Sequence, residues 1–224
     1  MRKFLVVALL LTSLSLFAQT PSPAQSPDYA LKFQFSIGPS LSIVNGTKEF
    51  NVDDSLAGYF EFTIPVSDRF SFRTAMMSNW GQIRTLSGSE KVDFNQTLFD
   101  GDLRFTFNPK SQYQFYVLGG VQAYYASYYG EDYSFSKLTY TLGTGGYFHF
   151  NGTKFVVNPE LRYAPETETF SIRVKADVAI WKEKIFITPE VRYGNFSVDY
   201  YSDQAVVKFH TDDWKIGCAL TWKF

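Results

Sequence analysis

The sequence predicts a closed, antiparallel, up-and-down transmembrane β-barrel, all-β, with ten strands and with eight strands as the alternative count. Three observations lead to this prediction. Segments of alternating apolar and polar residues follow one another along the chain, and their charges are confined to one strand face. Aromatic residues make up 19% of the chain, yet mean hydropathy is only −0.15. Alternation of lipid-facing and lumen-facing residues keeps the average hydropathy of such barrels near neutral.

The first residues have the pattern of a secretory signal peptide. Arg2 and Lys3 precede an apolar run over residues 4–17, and Ala18 is small enough to precede a cleavage site. The run is too short to cross a bilayer as a helix. The next segment is rich in Pro, Ser and Gln, which is typical of a flexible tail. The expected organisation is a signal peptide at 1–18, a periplasmic tail at 19–28 and a barrel domain at 29–224.

Charge and cysteine content narrow the classes of function. The formal net charge of −1 argues against a nucleic-acid binder. Cys218 is the only cysteine, which excludes an intramolecular disulfide and leaves no cysteine near the cleavage site for a lipid anchor. Besides a transmembrane barrel, an exported soluble β-barrel that binds an apolar ligand stays open.

Turn signals divide the barrel domain into ten segments. The turns after the second, fourth, sixth and eighth segments are short, and NGT at 151–153 contains Asn-Gly, the strongest short hairpin signal. The other connections are mostly longer and more polar, such as NGTKEFNVDDS (45–55) and SVDYYSDQ (197–204). The least certain boundary is APETET at 164–169, where a single irregular excursion would give eight strands. Strands are expected near 30–44, 55–65, 70–84, 93–107, 113–129, 137–150, 154–164, 169–181, 185–196 and 205–224.

The two faces of these segments differ in charge. One face consists of large apolar and aromatic side chains without a charge. A soluble barrel would turn this face inward, whereas a membrane barrel turns it toward lipid. The opposite face carries sixteen charges: Lys32, Glu61, Arg73, Asp100, Asp102, Arg104, Lys154, Glu160, Arg162, Arg173, Lys175, Asp177, Glu190, Arg192, Lys215 and Lys223.

The tryptophans favour the membrane orientation. Trp80 and Trp214 stand about ten residues from the short-turn end of their strands, and Trp181 and Trp222 stand near that end. Transmembrane strands cross the hydrocarbon in roughly 9–11 residues, so all four are expected near an interface. Together with the terminal Phe224, they are predicted to form aromatic girdles.

The last segment, KIGCALTWKF (215–224), alternates and ends on phenylalanine. It is similar to the C-terminal assembly signal of bacterial outer-membrane β-barrel proteins, and residues 29–224 resemble that family through their even strand count and turn pattern. The resemblance implies an outer-membrane location with both termini in the periplasm. It also implies contact with outer-membrane lipid and lipopolysaccharide, and recognition of the last strand by the barrel-assembly machinery.

A repeated motif, NPELRY at 158–163 and TPEVRY at 188–193, lies on two strands that run in the same direction. Its prolines, Pro159 and Pro189, are expected to interrupt the strand ladder and to mark a bulge or local kink, because proline lacks a backbone N–H. Its charged residues fall on the lumenal face, and the strand between the copies adds three more charges. The predicted structural ionic network consists of Glu160, Arg162, Arg173, Lys175, Asp177, Glu190 and Arg192.

The motif also admits two functional alternatives, a charge-lined constriction for ions and a catalytic or gating site. A paired-carboxylate acid/base site would need one carboxylate apart from the arginines. His149 near a short turn and His210 beside Asp212 are the other candidates, the second resembling the His–Asp pair of outer-membrane proteases. No catalytic, cofactor or metal residue is predicted. The remaining lumen is expected to be filled by Tyr59, Tyr116, Tyr124 and Tyr147.

The function predicted from the sequence is a structural or surface-binding role through acidic extracellular loops, with the lumen largely plugged. The first alternative is a narrow porin-like channel for small solutes or ions, and the second a barrel enzyme such as a protease or lipid-modifying enzyme. Asp53–Asp54 and Asp212–Asp213 are the places where the acidic rim would first be expected to bind a divalent cation. The sequence identifies no extracellular ligand.

Overall fold

The computed structural model describes residues 29–45, 50–52, 55–85, 91–128, 133–150, 153–202 and 205–224. The predicted signal peptide and tail lie outside these ranges. Across the described ranges, none of the helices is long and apolar enough to span a bilayer.

Within these ranges, eleven strands follow in chain order, with one short 3₁₀ helix at Pro165–Thr167. The strands are β1 (Gln34–Asn45), β2 (Phe50–Val52), β3 (Ser55–Pro65), β4 (Phe70–Thr85), β5 (Lys91–Thr106), β6 (Tyr113–Tyr128), β7 (Tyr133–Phe150), β8 (Phe155–Ala164), β9 (Thr169–Trp181), β10 (Ile185–Ser202) and β11 (Ala205–Lys223).

These strands form one closed antiparallel barrel wall with ten strand positions. Strands that follow one another in the chain lie side by side, and β1 pairs with β11 to close the wall. The three-residue β2 pairs with one end of β4 while β3 pairs with the rest of it, so β2 and β3 share one position. The predicted ten-stranded up-and-down barrel is confirmed, and the eight-strand alternative is wrong.

Side chains alternate between a buried set that faces the lumen and an exposed set that faces outward. Arg73 and Asp102 are 0% exposed, whereas Leu103 and Phe115 are 50% and 51% exposed. A soluble barrel buries its apolar side chains and exposes its charges, which is the reverse of this distribution. The exterior instead matches hydrocarbon, so the protein is a transmembrane barrel.

Two predicted loops are partly strand. The segment NGTKEFNVDDS (45–55) contains β2, and the segment SVDYYSDQ (197–204) lies mostly within β10. The β10–β11 ladder continues without interruption to the pair Ser202↔Ala205. The prediction of a long connection was wrong for β10–β11, because the polar residues extend this hairpin beyond the apolar stretch that marked the strands in the sequence. The connection between β1 and β3 is long as predicted and contains β2, which pairs with β4.

The predicted interruptions at both prolines are confirmed, although neither proline forms a bulge. At Pro159 the pairing of β8 with β7 stops for two residue pairs and resumes in the same register, and at Pro189 the pairing of β10 with β9 does the same. Pairing on the other side of each proline is unbroken. The missing N–H removes a hydrogen bond on one side only, which leaves the register intact.

The aromatic residues predicted for the girdles lie on the outer face. Trp80, Trp181 and Trp214 are about half exposed, and Phe224 is more exposed still. The Trp222 ring stacks on that of Phe35 with a 5.3 Å separation of centroids. These positions are the ones a girdle requires, and the girdle itself stays a prediction.

The seam between β1 and β11 is tightest at Gly38. A Cβ at this position would lie 2.2 Å from the carbonyl oxygen of Cys218 and 2.5 Å from Cα of Ala219. Both are backbone atoms, so relief requires the two strands to separate. A Cβ at Gly119, in contrast, would meet nothing nearer than a Leu142 methyl group at 3.8 Å.

We therefore expect Gly38→Ala to destabilise the folded barrel by about 1–3 kcal/mol, as overpacking typically does. The matched control Gly119→Ala should leave stability nearly unchanged. Denaturant unfolding of refolded protein in detergent micelles measures both. Equal stability of the two variants would show that the seam tolerates a wider strand separation.

Candidate functional site

The strand period brings charged side chains from five strands into the middle of the lumen. β3, β4, β5, β8 and β9 each point at least one charge inward at this level, and each of these side chains is at most 7% exposed. Four carboxylates and five cations meet there. We call this set the ionic network; it consists of Glu61, Asp100, Asp102, Glu160, Arg73, Arg104, Arg162, Arg173 and Lys175.

Asp102 joins two arginines from different strands. The Arg73 Nε donates to Asp102 Oδ2 at 2.7 Å, and the two Nη atoms of Arg162 donate to the two carboxylate oxygens at 2.5 and 3.2 Å. Asp100 lies beside the same arginines, with Oδ2 3.2 Å from Arg73 Nη2 and 3.4 Å from Arg162 Nη1. Charge-assisted contacts of this kind are the strong hydrogen bonds of a protein interior.

Glu160 accepts hydrogen bonds from two arginines and a tyrosine and forms an ion pair with a third arginine. Arg104 Nη2 lies 2.6 Å from Oε2, and Arg162 Nε lies 2.7 Å from Oε1. Arg173 Nη2 approaches Oε1 at 3.1 Å, and the Tyr116 hydroxyl donates to Oε2 at 2.7 Å. Glu160 is therefore a junction between β5, β6, β8 and β9.

Glu61 performs the same role on the opposite wall. Its carboxylate lies 3.0 Å from Arg73 Nη1 and 2.7 Å from Arg173 Nη1, and it also binds Lys175 Nζ. The Tyr59 hydroxyl donates to Glu61 Oε2. Arg73 joins Glu61 to Asp102, and Arg173 joins Glu61 to Glu160, so the network is continuous across the lumen.

The charged residues of the predicted network that lie outside the ionic network form separate ion pairs. Arg192 Nη2 lies 3.3 Å from Glu190 Oε1, and Glu190 Oε2 lies 3.9 Å from Arg173. Asp177 pairs with Lys223 at 2.6 Å and accepts from Thr188 at 2.8 Å. The structure thus brings Glu160, Arg162, Arg173 and Lys175 together, leaves Glu190 and Arg192 at the edge, and places Asp177 in a separate pair.

Sequence reasoning missed half of the network. Glu61, Arg73, Asp100, Asp102 and Arg104 were identified as lumenal charges but not as partners of the NPELRY motif. They lie on strands across the barrel, and only the closed wall brings them opposite β8 and β9. The signal that could have found them was the charge imbalance of the predicted set, three carboxylates against four cations, which required partners from elsewhere.

Two cavities lie on either side of the ionic network. Residues 29–33 and Phe224 lie at the end of the barrel with the short turns, where Phe224 N–H donates to the carbonyl of Phe33 at 2.9 Å. We call this the terminal end and the opposite one the distal end. The distal cavity measures ≈ 80 Å³ and the terminal cavity ≈ 60 Å³, and among the described residues none lines both. Residues at most 3% exposed, including Glu61, Arg73, Asp102, Arg104, Tyr116 and Glu160, fill the space between them.

An N-terminal strap, residues 29–33, lies across the terminal mouth. The carbonyl of Tyr29 accepts from Gln114 Nε2 at 2.6 Å, and the Tyr29 ring packs 4.9 Å from that of His149. Gln114 and His149 belong to β6 and β7, on the side of the wall away from β1. The strap therefore reaches from β1 to the opposite side of the terminal mouth.

The other predicted candidates have these positions. His149 lies at the terminal mouth beside the strap, and Asp213 pairs with Lys215 and accepts from Ser42 at 2.6 Å. The side chain of His210 and the Asp53–Asp54 pair lie outside the described part of the chain, as does much of the acidic rim. In the portion that is described, no group of three or more His, Cys, Asp or Glu has the arrangement of a metal site.

No protein-family model matches the chain, and no curated protein matches it. Solved structures of bacterial outer-membrane barrels are similar to this chain, and two of them illustrate the likeness. The outer membrane protease OmpT from Escherichia coli is similar over 92% of this chain and 100% of its own, with a TM-score of 0.52 and 10% identity. The translocator domain of autotransporter NalP from Neisseria meningitidis is similar over 100% of this chain and 96% of its own, with a TM-score of 0.50 and 9% identity. At these identities the likeness shows the fold alone.

We expect Asp102→Asn to lower the free energy of unfolding by about 3–5 kcal/mol, because it leaves two buried guanidinium groups without their shared carboxylate. Asp68→Asn is the matched control. Asp68 pairs with Lys110 at 3.4 Å on the surface, where both side chains are 78% exposed, so its loss should have little effect. Denaturant unfolding in micelles measures both variants. A similar, small effect of both would contradict a stabilising ionic network.

Proposed function

We propose that this chain, which has the fold of bacterial outer-membrane β-barrel proteins, resides in the outer membrane as a closed barrel that anchors its distal loops at the cell surface. The ionic network carries this proposal. It joins five strands across the lumen, its members are almost fully buried, and it separates the two cavities. A solute path would require several of these ion pairs to break together.

The chemistry of the network favours a structural role over catalysis. An acid/base site needs a carboxylate whose proton affinity is raised, whereas Glu160 and Glu61 are each surrounded by cations that stabilise the ionised form. The protease activity in the name of OmpT belongs to that protein. We therefore propose a structural and surface-binding function without an enzymatic step.

The orientation and partners form part of the same proposal. Cleavage after Ala18 would leave residues 19–28 in the periplasm, with the terminal end and both termini on that side. The barrel-assembly machinery would recognise β11, which ends in alternating residues and Phe224. The distal end would then face outward among lipopolysaccharide molecules, and its acidic loops would be the surface that meets an extracellular ligand.

Planar-bilayer recordings test the closed lumen. We expect no steady single-channel openings from the folded wild-type protein. A variant that lacks residues 19–31 should also stay silent, because the ionic network closes the lumen without the strap. The variant Arg104→Ala/Glu160→Ala, which removes one cation and one carboxylate and so keeps the charge balance, should give measurable openings.

Heat-modifiable migration on gels confirms that each variant is folded before recording. Steady openings of reproducible size in the wild-type protein would contradict the proposal and favour a narrow channel. Openings only after removal of residues 19–31 would assign the closure to the strap and not to the ionic network.

A further inference from the structure

The distal cavity lies between the ionic network and the distal mouth and has features that the structural role of the barrel does not explain. Its volume of ≈ 80 Å³ is several times the roughly 10–15 Å³ that one water molecule requires. Side chains from β4, β5, β6, β8, β9, β10 and β11 line it, so it occupies the lumen from wall to wall. The network closes its inner end, which makes the cavity a pocket with one entrance.

One side of this pocket is cationic. Arg192 on β10 contacts Glu190 through a single Nη2 at 3.3 Å, and its buried Nε has no hydrogen-bond partner among the described residues. Lys215 on β11 also lines the pocket but is bound to Asp213. Arg162, at the inner end, already contacts three carboxylates. Arg192 is therefore the cation with the most unused hydrogen-bonding capacity in the pocket.

The other side carries buried amides with unused acceptors. Gln122, 6% exposed, donates through Nε2 to Asp100 at 2.9 Å, which leaves its Oε1 without a partner in the described structure. Asn79, 3% exposed, donates through Nδ2 to Gln96 at 3.2 Å, and its Oδ1 likewise has none. A buried acceptor without a donor destabilises the folded protein by roughly 1–3 kcal/mol. We therefore infer that a donor from outside the chain binds at these oxygens.

The two sides face each other. In the ten-position wall β10 and β5 are five positions apart, which places Arg192 across the pocket from Gln96, while Asn79 and Gln122 stand on the strands that flank β5. A ligand that satisfies both sides needs an anionic group at one end and a hydroxyl donor at the other. Met77 and Leu98, on the amide side, add a small apolar surface.

We propose that the distal cavity is a binding site for a small hydroxylated carboxylate. The carboxylate pairs with the Arg192 guanidinium, and the hydroxyl donates to one of the two unpartnered amide oxygens, Gln122 Oε1 or Asn79 Oδ1. The route of the ligand rests on the proposed function: with the inner end closed by the ionic network and the distal end facing outward, the ligand enters and leaves through the distal mouth and is retained on the outer side of the barrel.

Three probe molecules distinguish recognition of the carboxylate from recognition of the hydroxyl. Lactate carries both groups, propionate lacks the hydroxyl, and propane-1,2-diol lacks the carboxylate. Each is titrated into the refolded wild-type protein in micelles, and the side-chain amide signals of Gln122 and Asn79 are followed by NMR. Asn158 provides an internal control, because its amide donates to Tyr116 and to the Gly146 carbonyl within the closed part of the lumen.

We expect lactate to shift the Gln122 and Asn79 signals saturably and to leave Asn158 unchanged. Propionate and the diol should each bind more weakly, the diol by about tenfold or more because it loses a charge-assisted contact. Arg192→Met should weaken lactate binding by a similar factor. Lys223→Met, which removes one cation from the terminal cavity, is the matched control and should leave lactate binding intact.

Several results would overturn the proposal. They are the absence of saturable shifts with lactate, equal affinity for the three probes, and equal lactate affinity in the Arg192→Met variant. The probe series uses only the wild-type protein, so it decides the matter even if the Arg192 variant does not fold.

Discussion

Charges that a transmembrane barrel keeps away from lipid must be neutralised inside its lumen, and the rest of this structure depends on how that constraint is met. An ionised group taken out of water costs several kcal/mol unless close partners of opposite charge and hydrogen bonds replace the lost hydration. Here Glu61, Asp102 and Glu160 each bind at least two cations, and Arg73 and Arg173 each join two of these carboxylates. The resulting network fixes the relative positions of strands that are far apart in the wall.

The ionic network makes the strand register of the barrel and the charge pairing in its lumen depend on each other. β1 and β11 approach closely at Gly38 and keep their register across it, and the register of β8 and β9 stays intact beside Pro159. A slip of one residue in any network strand would turn its charges toward lipid, since successive side chains point to opposite faces. Strand register and charge pairing therefore specify each other. The prolines are tolerated because each removes a ladder hydrogen bond without shifting the strand register.

Most of the strands of the barrel could be predicted from the sequence, whereas only part of the ionic network in its lumen could. Period-two alternation located ten strands and assigned Glu61, Arg73 and Glu160 to the same face. The face on which a side chain lies depends only on its position in the local alternation, so it can be predicted from the sequence. Partners such as Arg104 and Glu160 lie 56 residues apart, and they meet only through the closure and stagger of the barrel. Polar strand ends such as those in β10 were missed for another reason, since they lie beyond the apolar stretch that marks a membrane strand. The shared fold of OmpT and NalP adds nothing on the lumen, because function resides in the side chains that a fold carries.

Solvent exchange of the arginine side chains tests the closed ionic network most directly. The Nε–H protons of Arg73 and Arg162 donate to Asp102 and Glu160 within the network, whereas Arg69 is exposed at the terminal end. NMR of the refolded protein after transfer to D₂O should show the Arg73 and Arg162 signals persisting long after that of Arg69 has disappeared. Exchange of all three at the same rate would mean that water passes freely through the lumen and would contradict the account.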